Sequence, residues 1–282
     1  MTCAWTSFLS VIPAWMRSEI DLLAADTLQE LRLRVDRFPE LITMSGNLQL
    51  KSAVKYEDLK FCINAASRYS PWSAWTSRYG YITASGGHRI GLCGQVSVKD
   101  AVMTGVAVPT SLCIRIARDF KGLVKDERLL YGSVLIVGSP GSGKTTLLRD
   151  LIRFRSENNR GAIAVVDEKE EIFPTDNGKL YFPPGPRTDI ICGCSKAQGI
   201  DCLLRNMGPQ TIAVDEITAA EDCIALAHAG RCGVDLLATA HAGSKRDFIK
   251  RPIYRPIIES GIFEYLLILR EDKTWTFERI NI

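Results

Sequence analysis

The sequence predicts an α/β chain in two parts: a smaller N-terminal α+β domain over residues 1–125 and an open, mostly parallel sheet domain over residues 126–282. Three observations carry this expectation. Strand-sized apolar runs recur through the second half, at 134–137, 162–166, 211–214, 236–240 and 265–269, alternating with helical or polar stretches as βαβ units do. A glycine-rich loop stands directly between the first of these runs and a stretch of helical periodicity. The first half instead shows helical spacing followed by short alternating segments between glycine turns, the pattern of an antiparallel sheet.

Bulk composition narrows the function classes. A chain of 282 residues with 46% apolar and 24% charged residues has material for one large core or two ordinary ones. A net charge of +3 sets up no global basic field for nucleic acid. The longest apolar runs, such as 265–269, are too short to cross a bilayer. The opening stretch with Trp5, Phe8 and Ile12 has no basic leader or clear cleavage site, and reads as an amphipathic helix rather than a signal peptide. Nine cysteines and three histidines show no zinc-ligand spacing, and Cys192-Gly193-Cys194 is the only close pair. Cys62, Cys113, Cys223 and Cys232 stand alone among apolar or small residues. Reduced, buried thiols and a cytoplasmic address are expected.

Along the first half, Leu22, Leu28, Leu31 and Val35 give a helical pattern that stops near Phe38-Pro39. A second helix is expected from Tyr56 to Tyr69. The segments 79–83, 88–92, 95–98 and 113–116 then predict a small antiparallel sheet. The second half opens near Tyr131. Its proline-rich stretch Phe182–Arg187 reads as a surface loop.

The loop is Gly138-Ser139-Pro140-Gly141-Ser142-Gly143-Lys144-Thr145, followed by Thr146, a complete Walker A pattern. Leu147, Leu148, Leu151 and Ile152 follow at helical spacing. Glycines let the backbone curl until successive N–H groups point inward, and the helix N-terminus adds partial positive charge. Lys144 then reaches the terminal phosphates of a nucleoside triphosphate, and the Thr145 hydroxyl ligates Mg²⁺.

Other strand ends carry further chemistry, because ligands in such sheets gather outside the carboxyl ends of the strands. Asp215-Glu216 after 211–214 fits Walker B: Asp215 on Mg²⁺, Glu216 orienting or deprotonating the attacking water. The alternative is an acidic pair that starts a helix. A second pair, Asp167-Glu168, either shares a metal or water network with the first or begins a helix. His241, after 236–240, donates to a phosphate or to Glu216, or is a structural donor. Arg89, Arg115, Arg118, Arg187 and Arg205 are candidates to meet phosphoryl charge. The run Lys245, Arg246, Lys250, Arg251 and Arg255 is an interaction patch or a solvated helix face.

These motifs in this order are similar to a known family. After the phosphate loop come Val165-Val166-Asp167-Glu168, Arg187-Thr188-Asp189-Ile190, Ser195-Lys196-Ala197-Gln198-Gly199-Ile200, Ala213-Val214-Asp215-Glu216-Ile217 and Ala238-Thr239-Ala240-His241. The first half adds Leu31-Arg32-Leu33-Arg34-Val35-Asp36-Arg37 with Pro39-Glu40, Gly80-Tyr81-Ile82, Gly86-Gly87-His88-Arg89-Ile90-Gly91 and Ile114-Arg115-Ile116-Ala117-Arg118. Over nearly its whole length the chain resembles the stage III AA family of sporulation proteins, relatives of the type II and type IV pilus secretion ATPases.

The resemblance implies a P-loop (RecA-like) ATPase core with a smaller N-terminal α+β domain, using ATP and Mg²⁺. It implies a homo-oligomeric ring of six subunits with nucleotide between neighbours, in the mother-cell cytoplasm. The partners implied are integral membrane proteins of a channel complex around the forespore, with membrane contact only through them. Asp167 and Glu168 match the Asp box of these ATPases and His241 the His box; Arg89, Arg115 and Arg118 are this sequence's candidates for the N-terminal-domain arginines that contact phosphates. Two departures, Ser195 in place of a proline and Ala242 between His241 and Gly243, touch no phosphate ligand. Two alternatives stay open from the residues themselves. One is a nucleic-acid-dependent ATPase, which the near-balanced charge does not favour. The other is a scaffold that binds ATP without hydrolysing it.

Overall fold

The computed structural model describes residues 2–68, 80–158, 161–176, 179–270 and 272–280. It divides into two compact units, Met1–Asp119 with Asp176–Tyr181, and Phe120–Thr175 with Phe182–Ile282.

The first unit contains, in chain order, α1 (Trp5–Ser10), α2 (Ala14–Ala24), β1 (Leu28–Arg34), β2 (Glu40–Thr43), β3 (Gly46–Gln49), α3 (Tyr56–Ser67), β4 (Tyr81–Thr83), β5 (Arg89–Lys99) and β6 (Val102–Arg115). The six strands pair antiparallel in the order β3-β2-β1-β6-β5-β4. One face of this sheet supplies Leu31, Leu33, Leu41, Ile90 and Ile114 to a core shared with Phe8, Ile12, Met16, Ile20 and Leu59 from the helices. The helix expected to run through Leu28, Leu31 and Val35 is corrected: α2 ends at Ala24, and residues 28–34 are a strand. Leu31 and Leu33 alternate with Arg32 and Arg34, as a half-buried strand requires. An irregularity in register between Leu28 and Glu30 lets Leu28 and Leu31, three apart, both face the core, which imitates helical spacing. The second expected helix is α3, closed by Arg68 in the left-handed region (φ 52°); Tyr69 and Tyr79 lie outside the described residues.

The second unit contains β7 (Val134–Gly138), α4 (Lys144–Asn158), β8 (Ile163–Asp167), β9 (Thr188–Cys192), α5 (Lys196–Asn206), β10 (Thr211–Val214), α6 (Ala220–Arg231), β11 (Asp235–His241), α7 (Lys245–Lys250), α8 (Arg255–Ser260), β12 (Tyr265–Leu269) and β13 (Trp275–Arg279). The sheet order is β9-β8-β10-β11-β7-β12-β13, parallel throughout except for the β12–β13 pair. All five expected strands are present, and β9 and β13 extend the sheet at its two edges. Every residue of β7, β8 and β10 is buried, as a sheet covered on both faces demands.

Other expectations need adjustment. The stretch Phe182–Arg187 is irregular, but Phe182 is buried beneath the Arg149 guanidinium, 4.6 Å from its ring. All nine cysteines are free; Cys62 and Cys223 are buried, whereas Cys113 is half-buried and Cys232 exposed. Among the described residues no helix is long and apolar enough to cross a membrane.

Candidate active site

Parallel pairing fixes the height of the strand ends. Gly138, last in β7, stands opposite both His241 of β11 and Leu269 of β12. Val214 of β10 stands opposite Ala238 of β11 and Val166 of β8. The residues that follow these strands therefore emerge along one edge of the sheet.

The phosphate loop can be built only with glycine at several places. A Cβ on Gly138 would lie 2.7 Å from both the Leu269 carbonyl oxygen and Ser142 Oγ. Gly141 and Gly143 adopt φ values of +73° and +104°, a region open to glycine at no steric cost. Ser139 is half-buried and Pro140 exposed at the loop's outer turn. Ser142 Oγ is buried with no hydrogen-bond partner among the described residues. A native interior seldom leaves such an atom unsatisfied, and in this loop it fits a site shaped for an oxygen-rich ligand. Thr146 is half-buried in the first turn of α4.

Lys144 is almost fully buried. Its Nζ donates to the carbonyls of Gly138 (2.9 Å) and Ser139 (2.8 Å) and to His241 Nδ1 (3.0 Å). An ammonium can only donate, so Nδ1 accepts and His241 carries its hydrogen on Nε2. Nε2 thus donates to Glu216 Oε1 at 2.8 Å. A continuous chain thus links phosphate-loop lysine, histidine and glutamate. Burial pulls the Lys144 pKa down from its usual range, with Asp215 and Glu216 pulling the other way.

Asp215 and Glu216 follow β10. Asp215 Oδ2 accepts from Thr145 Oγ1 at 2.6 Å, and its Oδ1 accepts from the Thr239 hydroxyl. The Glu216 N–H donates to Thr239 Oγ1 (2.7 Å) and to Asp215 Oδ1 (3.1 Å). Glu216 itself takes φ +45°, a strained choice for a side chain of this kind and one that clusters at functional sites. Among the described residues no group of three or more His, Cys, Asp or Glu side chains is arranged to hold a metal. The Thr145–Asp215 pair suits Mg²⁺, which binds through one or two protein oxygens completed by waters and phosphate.

The two members of the second acidic pair make different hydrogen bonds, and a turn rather than a helix follows them, so the helix-start alternative is not what the chain adopts. Asp167 is buried, and its carboxylate accepts from the N–H groups of Glu171, Ile172 and Phe173 at 2.7–3.2 Å. Burial pushes its pKa up to about 6, against the lowering effect of the Phe173 and Ile172 amides. It shapes the turn after β8. Glu168 meets Lys196 Nζ at 2.6 Å, and both members of the pair line a small cleft with Lys196, Asp215 and Glu216.

The N-terminal arginines belong to the first unit. Arg89 stacks on the Tyr81 ring at 3.9 Å, and Arg115 pairs with Glu30 at 3.4 Å. Arg118 donates to the carbonyls of Ala25 (3.0 Å) and Leu28 (3.2 Å). In the second unit Arg187 donates to the Ser156 carbonyl, Arg205 pairs with Asp201, and the basic run is interrupted by the Arg251–Asp247 and Arg255–Glu259 pairs.

Two residues in this site carried no sequence assignment. Thr239 bonds both Asp215 and the Glu216 N–H, and the signal was a hydroxyl inside the otherwise apolar run 236–240. Lys196 is buried between Glu168 and Asp222, the latter 3.8 Å away; a lysine in the first turn of a helix gives no local hint of burial.

Comparisons with known proteins bear on the family and the fold. A sequence profile described as "Sporulation stage III, protein AA" matches residues 14–278. Stage III sporulation protein AA of Bacillus subtilis (strain 168) is 35% identical over 258 residues, spanning 87% of this chain and 83% of that protein. Among solved structures, the Legionella pneumophila ATPase DotB is similar with a TM-score of 0.58 at 15% identity, over 89% of this chain and 76% of that one. The pilus retraction motor PilT with bound ADP gives a TM-score of 0.61 at 15% identity, over 90% and 76%. These likenesses establish the P-loop ATPase fold. The profile match and the Bacillus identity, each across most of the chain, show that the chain belongs to the stage III sporulation protein AA family.

Proposed function

We propose that the chain is a Mg²⁺-dependent ATPase acting as a six-membered ring in the mother-cell cytoplasm. Its partners would be integral membrane proteins of a channel complex around the forespore, which it energises. The observation that carries this reading is the hydrogen-bonded chain from Lys144 through His241 to Glu216. It ties the residue that senses phosphate to the residue that would activate water.

Gly138–Thr146 wrap the triphosphate, with inward N–H groups and Lys144 on its terminal oxygens. Thr145 and Asp215 would hold Mg²⁺, which when bound neutralises phosphate charge. Glu216 accepts the proton of the attacking water, and His241 holds the Glu216 carboxylate in place. Lys144 leaves its main-chain acceptors to bind phosphate, and His241 then has a changed partner on Nδ1. Occupancy of the loop is thereby transmitted to the base. Glu168, held by Lys196, borders the same cleft. Arg89, Arg115 and Arg118 are the candidates to meet phosphoryl charge from a neighbouring subunit. Of these, Arg115 has the most exposed environment, whereas Arg118 is engaged with main-chain carbonyls of its own unit.

The test is phosphate release at protein concentrations high enough for assembly, with mass measured with and without Mg·ATP. Lys144→Ala should lose nucleotide binding. Glu216→Gln should keep it while turnover falls by roughly 10²- to 10⁴-fold, the range for a general base. Undiminished turnover in Glu216→Gln would remove the assignment of the base, and a wild type that binds but never hydrolyses would leave a scaffold.

A further inference from the structure

A second lysine reaches the phosphate loop from the far end of the chain. Lys273 lies in the turn between β12 and β13, and its Nζ donates to the Gly141 carbonyl at 2.7 Å. Three features make this more than a stray surface contact. The strand that carries the turn is packed onto the loop: Leu269 stands opposite Gly138, and its carbonyl leaves no room for a Cβ there. The described residues around Lys273 are hydrogen-bonded to one another: Arg270 N–H donates to the Thr274 carbonyl (2.9 Å), Lys273 N–H to the Arg270 carbonyl (3.1 Å), and Thr274 N–H and Oγ1 both to Asp272 Oδ1 (2.9 and 2.6 Å). Lys273 also sits at φ +67°, where glycine is the low-cost residue. A long side chain is kept at a position whose backbone disfavours one, and its end is on the loop.

We infer that Lys273 is a positioning residue for the nucleotide: it holds the Gly141 carbonyl outward, so that the neighbouring N–H groups of the loop face the phosphates. Lys144 grips the loop's carbonyls at Gly138 and Ser139 from within. Lys273 grips the opposite rim from outside. The ammonium adds a positive charge at the mouth that attracts a polyanion whatever base it carries. The ligand class is therefore the triphosphate moiety, and the effect belongs to binding more than to bond cleavage.

This inference rests on the nucleotide-binding reading above, and the experiment separates the two. Dissociation constants of wild type, Lys273→Met, Lys273→Arg and Lys273→Gly are measured for Mg·ATP and for inorganic tripolyphosphate, alongside kcat, KM and Tm. Loss of one exposed hydrogen bond and its charge should weaken both ligands in Lys273→Met by roughly twofold to tenfold. The same factor should appear in KM, with kcat within about twofold. Lys273→Arg should recover most of the affinity. Lys273→Gly relieves the positive φ, so its Tm should equal or exceed that of wild type while its affinity falls as in Lys273→Met. That combination excludes a merely structural role, because the better-folded turn would then bind at least as well. Equal affinity in wild type and Lys273→Met overturns the inference, as does a loss confined to ATP, which would mean contact with the base. A wild type that binds neither ligand overturns the nucleotide reading itself.

Discussion

Thr239→Val tests the link between fold and site most directly. Thr239 is fully buried and near-isosteric with valine, so no cavity opens. The substitution removes the hydroxyl that donates to Asp215 and accepts from the Glu216 N–H. Losing a hydrogen bond to a charged group costs about 1.5–3 kcal/mol. The Glu216 N–H keeps its 3.1 Å contact with Asp215, which limits any further penalty. A buried methyl in place of the hydroxyl returns about 0.8 kcal/mol. The net expectation is about 1–2 kcal/mol of lost stability, or a Tm lower by about 2–4 °C at this chain size. Activity should suffer more. Asp215 and Glu216 lose their common anchor, and a misplacement on the order of 1 Å can cost about 10² in rate. Thr239→Ser supplies the control. It keeps the hydroxyl and gives up a buried methyl, so its stability should fall by a similar ~1 kcal/mol while kcat stays within about threefold. Urea unfolding and steady-state phosphate release on the three proteins decide the matter. Equal kcat in the Val and Ser variants would refute the claim that the hydroxyl aligns the site.

Two further outcomes are expected. Lys196→Met should destabilise the second unit by about 2–3 kcal/mol, less than the ~3–5 kcal/mol for breaking a fully buried pair, because Glu168 is a third exposed and can turn to water; Lys196→Met with Glu168→Gln should recover much of this in urea titration, and a double variant no better than the single would contradict the pairing. Acidification should act in opposite senses at two buried groups. His88 bonds the Ala4 carbonyl and accepts from the Ala117 N–H, and burial holds its pKa below the usual 6.5; its contribution is complete above about pH 6.5 and is lost as pH falls. Asp167 is raised to about 6 by burial, so its contribution is fullest below about pH 4 and lost as pH rises to 6, by about 3 kcal/mol. Between pH 7 and 5, His88→Gln should lessen the loss and Asp167→Asn the gain; a stability profile that neither variant alters would refute both assignments.

The central sheet and the loop were legible in the sequence because each is a local pattern. Fully apolar runs before a glycine loop admit few readings, and the acidic and histidine residues stand where those runs end. What stayed hidden is non-local. Edge strand β9 (Thr188–Cys192) is half polar and follows a proline run, so neither alternation nor hydrophobicity marks it. Residues 28–34 satisfied both a helical and a strand spacing, and only pairing with β2 and β6 selects the strand. In the site, the roles of Thr239 and Lys273 depend on which strands lie side by side, and the lysine is more than 130 positions from its acceptor. Asp167 looked equivalent to Glu168 because both are carboxylates at one strand end, and the sequence does not say which of them meets main-chain amides and which a lysine.

The shared level of Gly138, His241 and Leu269 has a consequence for how this architecture tolerates change. Their alignment is set by main-chain rungs between neighbouring strands, not by the helices that join those strands. Connecting segments such as the one between α6 and β11 can lengthen or be exchanged without retuning the distance from lysine to imidazole. A single residue added inside β7, by contrast, would move the phosphate loop out of step with both flanking strands at once, disabling the centre while leaving much of the chain folded.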